Sequence, residues 1–262
     1  MGKKFLPYFL LAVLSALFSS WFWNWGLQQK PVTSLDQVPS FFSTTSIVAS
    51  ILFFGSAWWV LHKFSKDSKT SFSVLGGLTV WYLAVIFLGR LDFFAARPLF
   101  APNIFLAFIL LAIAIKKLLS SSKLQSFFES VPLNWIMSVQ TFRVMGVGFL
   151  SLYYMKLLPG EFAIPTGLGD IAIGITAPIV AFLYTLGKSY SKKIAILWNY
   201  AGIFDLLMAI TLGMLTYSKP FQFLPTEIPN DPIALFPLII IPVFAVPLSI
   251  ILHLFSLRVL RK

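Results

Sequence analysis

The sequence contains no cysteine, two histidines (His62 and His253) and only nine acidic residues among its 262 positions. Without cysteine there are no disulfides, thiolate metal centres, iron–sulfur clusters or cysteine nucleophiles. Two histidines are too few for a multi-histidine zinc or haem site, so no cofactor and no metal are expected. Charge is scarce as well: 11% of the residues are charged, against roughly 25% in ordinary soluble domains. What fills the space is apolar. Hydrophobic residues make up 58% of the chain and the mean hydropathy is +0.86. A water-soluble enzyme of this size needs more polar surface than that. The net charge of +11 therefore points to basic loops beside a membrane and not to a nucleic-acid partner.

A hydrocarbon core about 30 Å thick takes roughly 20 apolar helical residues to cross. Eight segments meet that length: 5–27, 41–61, 72–89, 99–119, 133–158, 162–186, 194–217 and 233–257. The first follows Lys3 and Lys4 but lacks a small-x-small cleavage pattern, and it ends in Trp21, Phe22, Trp23 and Trp25. Such an aromatic belt marks an interface, so the segment reads as a retained helix and not as a signal peptide.

Basic residues orient these spans. With the N-terminus inside, fourteen of the twenty Lys and Arg fall on the inner side, at residues 3–4, 63–69, 116–123, 188–193 and 258–262. Five, Lys30, Arg90, Arg97, Lys156 and Lys219, fall outside, and Arg143 lies within a span. That asymmetry predicts an all-α protein of eight transmembrane helices in the cytoplasmic (inner) membrane, with both termini cytoplasmic.

The chain divides near the serine-rich stretch at 120–132 into two four-helix halves, residues 1–127 and 128–262. The first half has no ionisable residue at membrane depth and reads as a scaffold, with a homo-oligomer forming through its helices. Arg90, Asp92 and Arg97 form an interfacial cluster at its outer end. The second half places Arg143, Asp170 and Asp205 within three consecutive spans. At a rise of about 1.5 Å per residue, all three converge on the midplane, each about 15 Å from a membrane face. Charges at that depth are costly and mark function by default. One arginine between two carboxylates leaves an excess negative charge if both acids ionise, so either one acid holds a proton or a cation shares the site. Gln140 lies three positions before Arg143, on its face. Asn199 and His253 fall nearer the inner surface, as a second polar layer. Taken alone, His253 reads as an interfacial residue reaching toward headgroups.

Prolines and glycines suggest where helices break. Pro165, Gly167 and Gly169 immediately precede Asp170, so span six is expected to unwind there, as discontinuous helices do at transporter sites. The alternative use of those glycines is close helix packing along Gly167, Asp170, Gly174 and Pro178. Pro237, Pro242 and Pro247 predict a bent last span. The loop before it, with Pro220, Pro225, Pro229 and Pro232, reads as a semi-rigid lid.

Two patterns carry resemblances. Gln140-x-x-Arg143, Leu158-Pro159-x-x-Phe162-Ala163-x-Pro165-x-Gly167-x-Gly169-Asp170 and Trp198-Asn199-x-x-Gly202-x-x-Asp205 together resemble an uncharacterised group of bacterial polytopic membrane proteins, which implies no activity. Gly167-Leu168-Gly169-Asp170 is similar to the Gly-x-Gly-Asp motif of intramembrane aspartyl proteases, the presenilins and prepilin peptidases. That similarity implies a catalytic dyad of Asp170 and Asp205 sharing a proton. Here the second acid follows the motif, whereas in those families it precedes it, and Phe204 replaces the tyrosine of their Tyr-Asp pair.

The leading expectation is a protein that binds and transports a small solute or ion, coupled to a proton through a midplane aspartate. Its site residues are Gln140, Arg143, Gly167, Gly169, Asp170, Asn199, Asp205 and His253, and its partners are the lipid bilayer and the solute. The other readings are the aspartyl protease and a membrane sensor or scaffold without turnover.

Overall fold

A computed structural model describes residues 2–64, 68–95, 103–218 and 222–262. Lys66, Arg97, Lys219, Pro220 and residues 99–102 at the start of the expected fourth span lie outside the described residues. Among the described residues all regular structure is helical. The long helices are α1 (Gly2–Leu27), α2 (Ser40–Phe64), α3 (Ser68–Arg90) and α4 (Asn103–Ser120). Two short helices follow, α5 (Ser122–Ser130) and α6 (Leu133–Val139); then come α7 (Val147–Tyr154), α8 (Gly160–Thr185), α9 (Ser189–Leu215) and α10 (Val246–Arg261). Among the described residues, seven stretches are long and apolar enough to cross a membrane: 5–27, 40–60, 68–90, 133–154, 160–185, 189–215 and 241–261. The segment expected at 99–119 is represented by α4.

The core sits in the second half. Two thirds of the most apolar part of the 133–154 and 241–261 stretches is buried (67% each), whereas only 6% and 11% of the corresponding parts of α2 and α3 are. α8 is the central helix, packed against α9, α1 and the 133–154 span. α1 crosses the expected division of the chain to lie on α7 and α8. The Tyr8 hydroxyl accepts from Asn134 Nδ2 at 2.7 Å, Phe5 packs edge-on against Phe182 at 4.8 Å, and Trp23 packs against Tyr154 at 4.9 Å.

The helix breaks lie elsewhere than the glycines suggested. α8 runs as continuous α-helix through Pro165, Gly167 and Gly169. Pro165 stands near the start of the helix, where only the Glu161 carbonyl loses its partner. The glycines are contact points. A Cβ on Gly167 would lie 2.9 Å from the Gly146 carbonyl oxygen, and one on Gly174 would lie 2.6 Å from the Val144 nitrogen. Small residues here let the backbone of α8 meet the backbone of the preceding span, which is the alternative the stripe offered.

That preceding span is the one that departs from α-helix. Between α6 and α7, Gln140–Gly146 form a seven-residue 3₁₀ segment, and runs longer than three or four residues are uncommon. At three residues per turn, Gln140, Arg143 and Gly146 eclipse one another along one face. All three are buried.

The last span starts later than expected, at Ile241 and not at residue 233. Residues 231–234 form a separate 3₁₀ turn, and Ile241–Ala245 form a π-turn that leads into α10. Pro237 and Pro242 lack the N–H needed to continue a regular ladder, so the α-helix settles only beyond them, with Pro247 in its first turn, where no such bond is needed.

Candidate functional site

Asp170 lies ten residues after Gly160 on α8, and Asp205 lies ten residues before Leu215 on α9. Both therefore sit about 15 Å from the same end of the bundle. The 3₁₀ segment delivers Arg143 between them. Arg143 Nε donates to Asp170 Oδ1 at 2.7 Å, and Nη2 donates to Asp205 Oδ2. Nη1 faces the Gly202 carbonyl at 3.4 Å and His253 Nε2 at 3.3 Å. The arginine is 3% exposed, so it depends on these partners in place of water.

His253 is fully enclosed, at 0% exposure, and does not reach toward headgroups. Its Nδ1 lies 2.9 Å from Asn199 Oδ1. The Asn199 amide nitrogen donates to the Ala195 carbonyl at 2.7 Å, which turns the amide oxygen toward the ring. Oδ1 accepts only, so the ring proton sits on Nδ1, and the Nε2 lone pair receives Arg143. Trp198 flanks the ring edge-on at 5.2 Å and is itself held by a 2.9 Å bond from Nε1 to Thr176 Oγ1. The expected second polar layer thus joins the charged layer as one chain from Asn199 through His253 and Arg143 to the two acids.

Three glycines make room for this packing. A Cβ on Gly169 would overlap the Asp205 carboxylate, one on Gly146 would overlap Asp170, and one on Gly202 would overlap the His253 ring. Gly202 stands in the Trp198-Asn199-x-x-Gly202-x-x-Asp205 pattern, whereas Gly146 is a contribution the sequence reading did not single out. Their signal is spacing, since each lies three residues from a charged side chain of the site, Arg143 and Asp205.

Of the predicted site residues, Arg143, Asp170, Asp205, His253 and Asn199 meet directly, and Gly169 abuts Asp205. Gly167 packs on Gly146 and Leu150 beside them. Gln140 stands apart from Arg143: its amide donates to the Ser249 carbonyl at 3.1 Å. Among the described residues, no His, Asp and Glu side chains cluster as a metal site. Asp205 Oδ1, Gln140 Oε1 and Thr166 Oγ1 are buried without a hydrogen-bond partner among the described residues.

A small cavity of about 40 Å³ adjoins the site, lined by Asp170, Thr166, Phe162, Gly213, Tyr217 and Ile233 among others. It runs from Asp170 toward the ends of α8 and α9, where Tyr217 and Ile233 line it. A water needs about 10–15 Å³ of such volume, so the cavity has room for one beside the carboxylate. Asp205 does not line it.

Residues 99–261, more than half of the chain and every residue of this site, match the model of a family described as a domain of unknown function (DUF8737). The chain belongs to that family. The DUF8737 region starts at the expected fourth span, so α1, α2 and α3 precede it, although α1 is packed on its core. No curated protein and no solved structure matches the chain.

Proposed function

We propose that this DUF8737 protein is a transporter of a small solute or ion, driven by a proton taken up at Asp170. It crosses the cytoplasmic membrane eight times, with α4 as the fourth span and both termini in the cytoplasm. The reading rests on one observation: a single buried guanidinium is shared by two carboxylates, and Asp170, unlike Asp205, lines the cavity beside them. With both acids ionised the group carries one excess negative charge in a low-dielectric layer, and a proton or cation at Asp170 cancels it. Neutralising Asp170 releases Arg143 from one of its two partners, and the guanidinium is then held by Asp205, Gly202 and His253 alone. Because Arg143 rides on a 3₁₀ segment in van der Waals contact with α8, a change in its pairing bears directly on the packing of the two spans. Segments wound this way often serve as hinges. The narrow cavity marks the path beside Asp170, and solute passage widens it.

The arrangement favours this over proteolysis. A protease dyad shares one proton between neighbouring carboxyl groups, whereas here each acid hydrogen-bonds the same guanidinium.

The test is proton movement in proteoliposomes containing an entrapped pH-sensitive dye. Vesicles receive a pH step in the presence of a panel of alkali cations, ammonium, small amines and small carboxylic acids. The wild-type protein is expected to accelerate the dye response with at least one panel member, and Asp170→Asn to abolish that acceleration. Responses equal to those of protein-free vesicles across the panel overturn the proposal.

A further inference from the structure

α2 and α3 are barely buried, yet they stand off from the core and leave a large cleft. α3 turns Thr70, Ser73, Gly77 and Trp81 toward it, at helical spacing, and α10 supplies Leu248 and Leu252 from the other side. The cleft measures about 550 Å³, within the range of roughly 300–1,000 Å³ typical of small-molecule sites. A Cβ added to Gly77 would meet no atom within 4 Å. The walls are almost wholly apolar, so water entering the cleft finds too few partners to be held. Left empty, the same walls would forgo dispersion contacts on one side.

The polar edge of the cleft is basic. Lys123, on α5, lines it, and Lys69 precedes the lining residue Thr70. Both lysines are exposed, and both belong to the inner basic set that orients the chain. Anionic lipid headgroups are attracted to lysines at that level. At the other end Phe53 and Leu248 partition this cleft from a second one of about 450 Å³ that extends to Arg90. An acyl chain entering from the inner leaflet therefore has a defined floor.

We infer that this cleft is a binding site for an anionic phospholipid, with one acyl chain between α2, α3 and α10 and the phosphate against Lys123 and Lys69. The inference needs only that the chain is embedded in a bilayer, and it stands whether or not the Arg143 site moves protons. It also links the lipid to that site. On α10 the cleft-facing stripe Leu248, Leu252 and Phe255 runs beside Ser249 and His253, each one residue further on, which face Gln140 and Arg143. A lipid chain in the cleft presses on the helix that carries His253.

Phospholipid retention tests this. The full-length protein is incorporated into nanodiscs of equal phosphatidylcholine and phosphatidylglycerol, extracted in mild detergent, washed, and its bound lipid quantified by mass spectrometry. Wild type is expected to retain phosphatidylglycerol over phosphatidylcholine at least fivefold. Lys69→Gln combined with Lys123→Gln should remove the preference, and Gly77→Leu, which fills the cleft from its wall, should lower total retention at least fivefold. Gly55→Leu serves as control, because Gly55 also faces open space but lines neither cleft. Equal retention of the two lipids by wild type overturns the inference, and so does undiminished retention in the lysine double variant. That variant lies on the exposed edge and keeps the test decisive if Gly77→Leu does not fold. A wild-type dimer that Gly77→Leu converts to a monomer, with lipid content unchanged, would mean that a second copy of the chain fills the cleft and would equally overturn it.

Discussion

Gly169 and Asp205 occupy a single space: the hydrogen that glycine carries in place of a Cβ is what admits the Asp205 carboxylate to the surface of α8. Close packing, and not unwinding, is what this glycine provides. The same logic joins Gly146 to Asp170 and Gly202 to His253, so three polar side chains of the site each rest against a glycine on a neighbouring segment.

Gly169→Ala should therefore destabilise the protein. Replacing a helical glycine by alanine ordinarily gains about 0.5–1 kcal/mol in backbone entropy, but forcing a methyl group into a filled space costs about 1–3 kcal/mol. Gly76→Ala, where a Cβ meets nothing within 4 Å, should show only the gain. Thermal unfolding in detergent compares the two. A Gly169→Ala protein as stable as Gly76→Ala would mean that Asp205 does not lie against α8.

His253 should exist as the tautomer protonated on Nδ1. The order of donors along Asn199, His253 and Arg143 demands it: the amide oxygen accepts at one end and the guanidinium gives at the other. Because the chain has only two histidines, His62→Gln leaves one ring to observe. Nitrogen-15 NMR of labelled histidine should show Nδ1 bearing hydrogen and Nε2 bare, and a proton on Nε2 would contradict the network.

How much of this was legible in the sequence depends on what each feature rests on. The convergence of Arg143, Asp170 and Asp205 follows from counting residues along helices, because the rise per residue is constant and a buried charge has few places to go. His253 was named among the site residues, but taken alone it read as interfacial, because burial depends on how far α10 lies from its neighbours, which no spacing within α10 reveals. The break at 140–146 carries neither proline nor tandem glycine. It arises from the fit of Arg143 between two helices, a tertiary demand that local propensity does not encode. Conversely, Pro165 and Gly167 looked like breakers, and the surrounding helices made them contacts.

Orientation can be checked independently of the site. Fourteen basic residues on one side predict that a reporter fused after Lys262 reports the cytoplasm, and that one inserted after Pro229 reports the opposite side. The two reporters answering from the same side would remove one span from the eight and reassign the basic loops.

Asp170 and Asp205 pair with the same arginine and should nonetheless fail differently when neutralised. Asp205 is held by Nη2 at a closed contact against Gly169, away from the cavity, so Asp205→Asn leaves Arg143 with reduced compensation inside packed protein. Removing one partner of a buried ion pair costs about 3–5 kcal/mol, and the loss should appear chiefly as a lower melting temperature. Combining it with Arg143→Leu should recover part of the loss, since residues in one network couple by about 0.5–3 kcal/mol. Asp170 borders the cavity, where water can take over the role of the lost oxygen. Asp170→Asn should therefore fold nearly as well as wild type while losing proton-linked activity. Melting curves and the dye assay on the two reconstituted variants separate these outcomes. If both variants were fully folded and equally inactive, the acids would be acting as one proton-sharing unit and the division of labour proposed for them would be wrong.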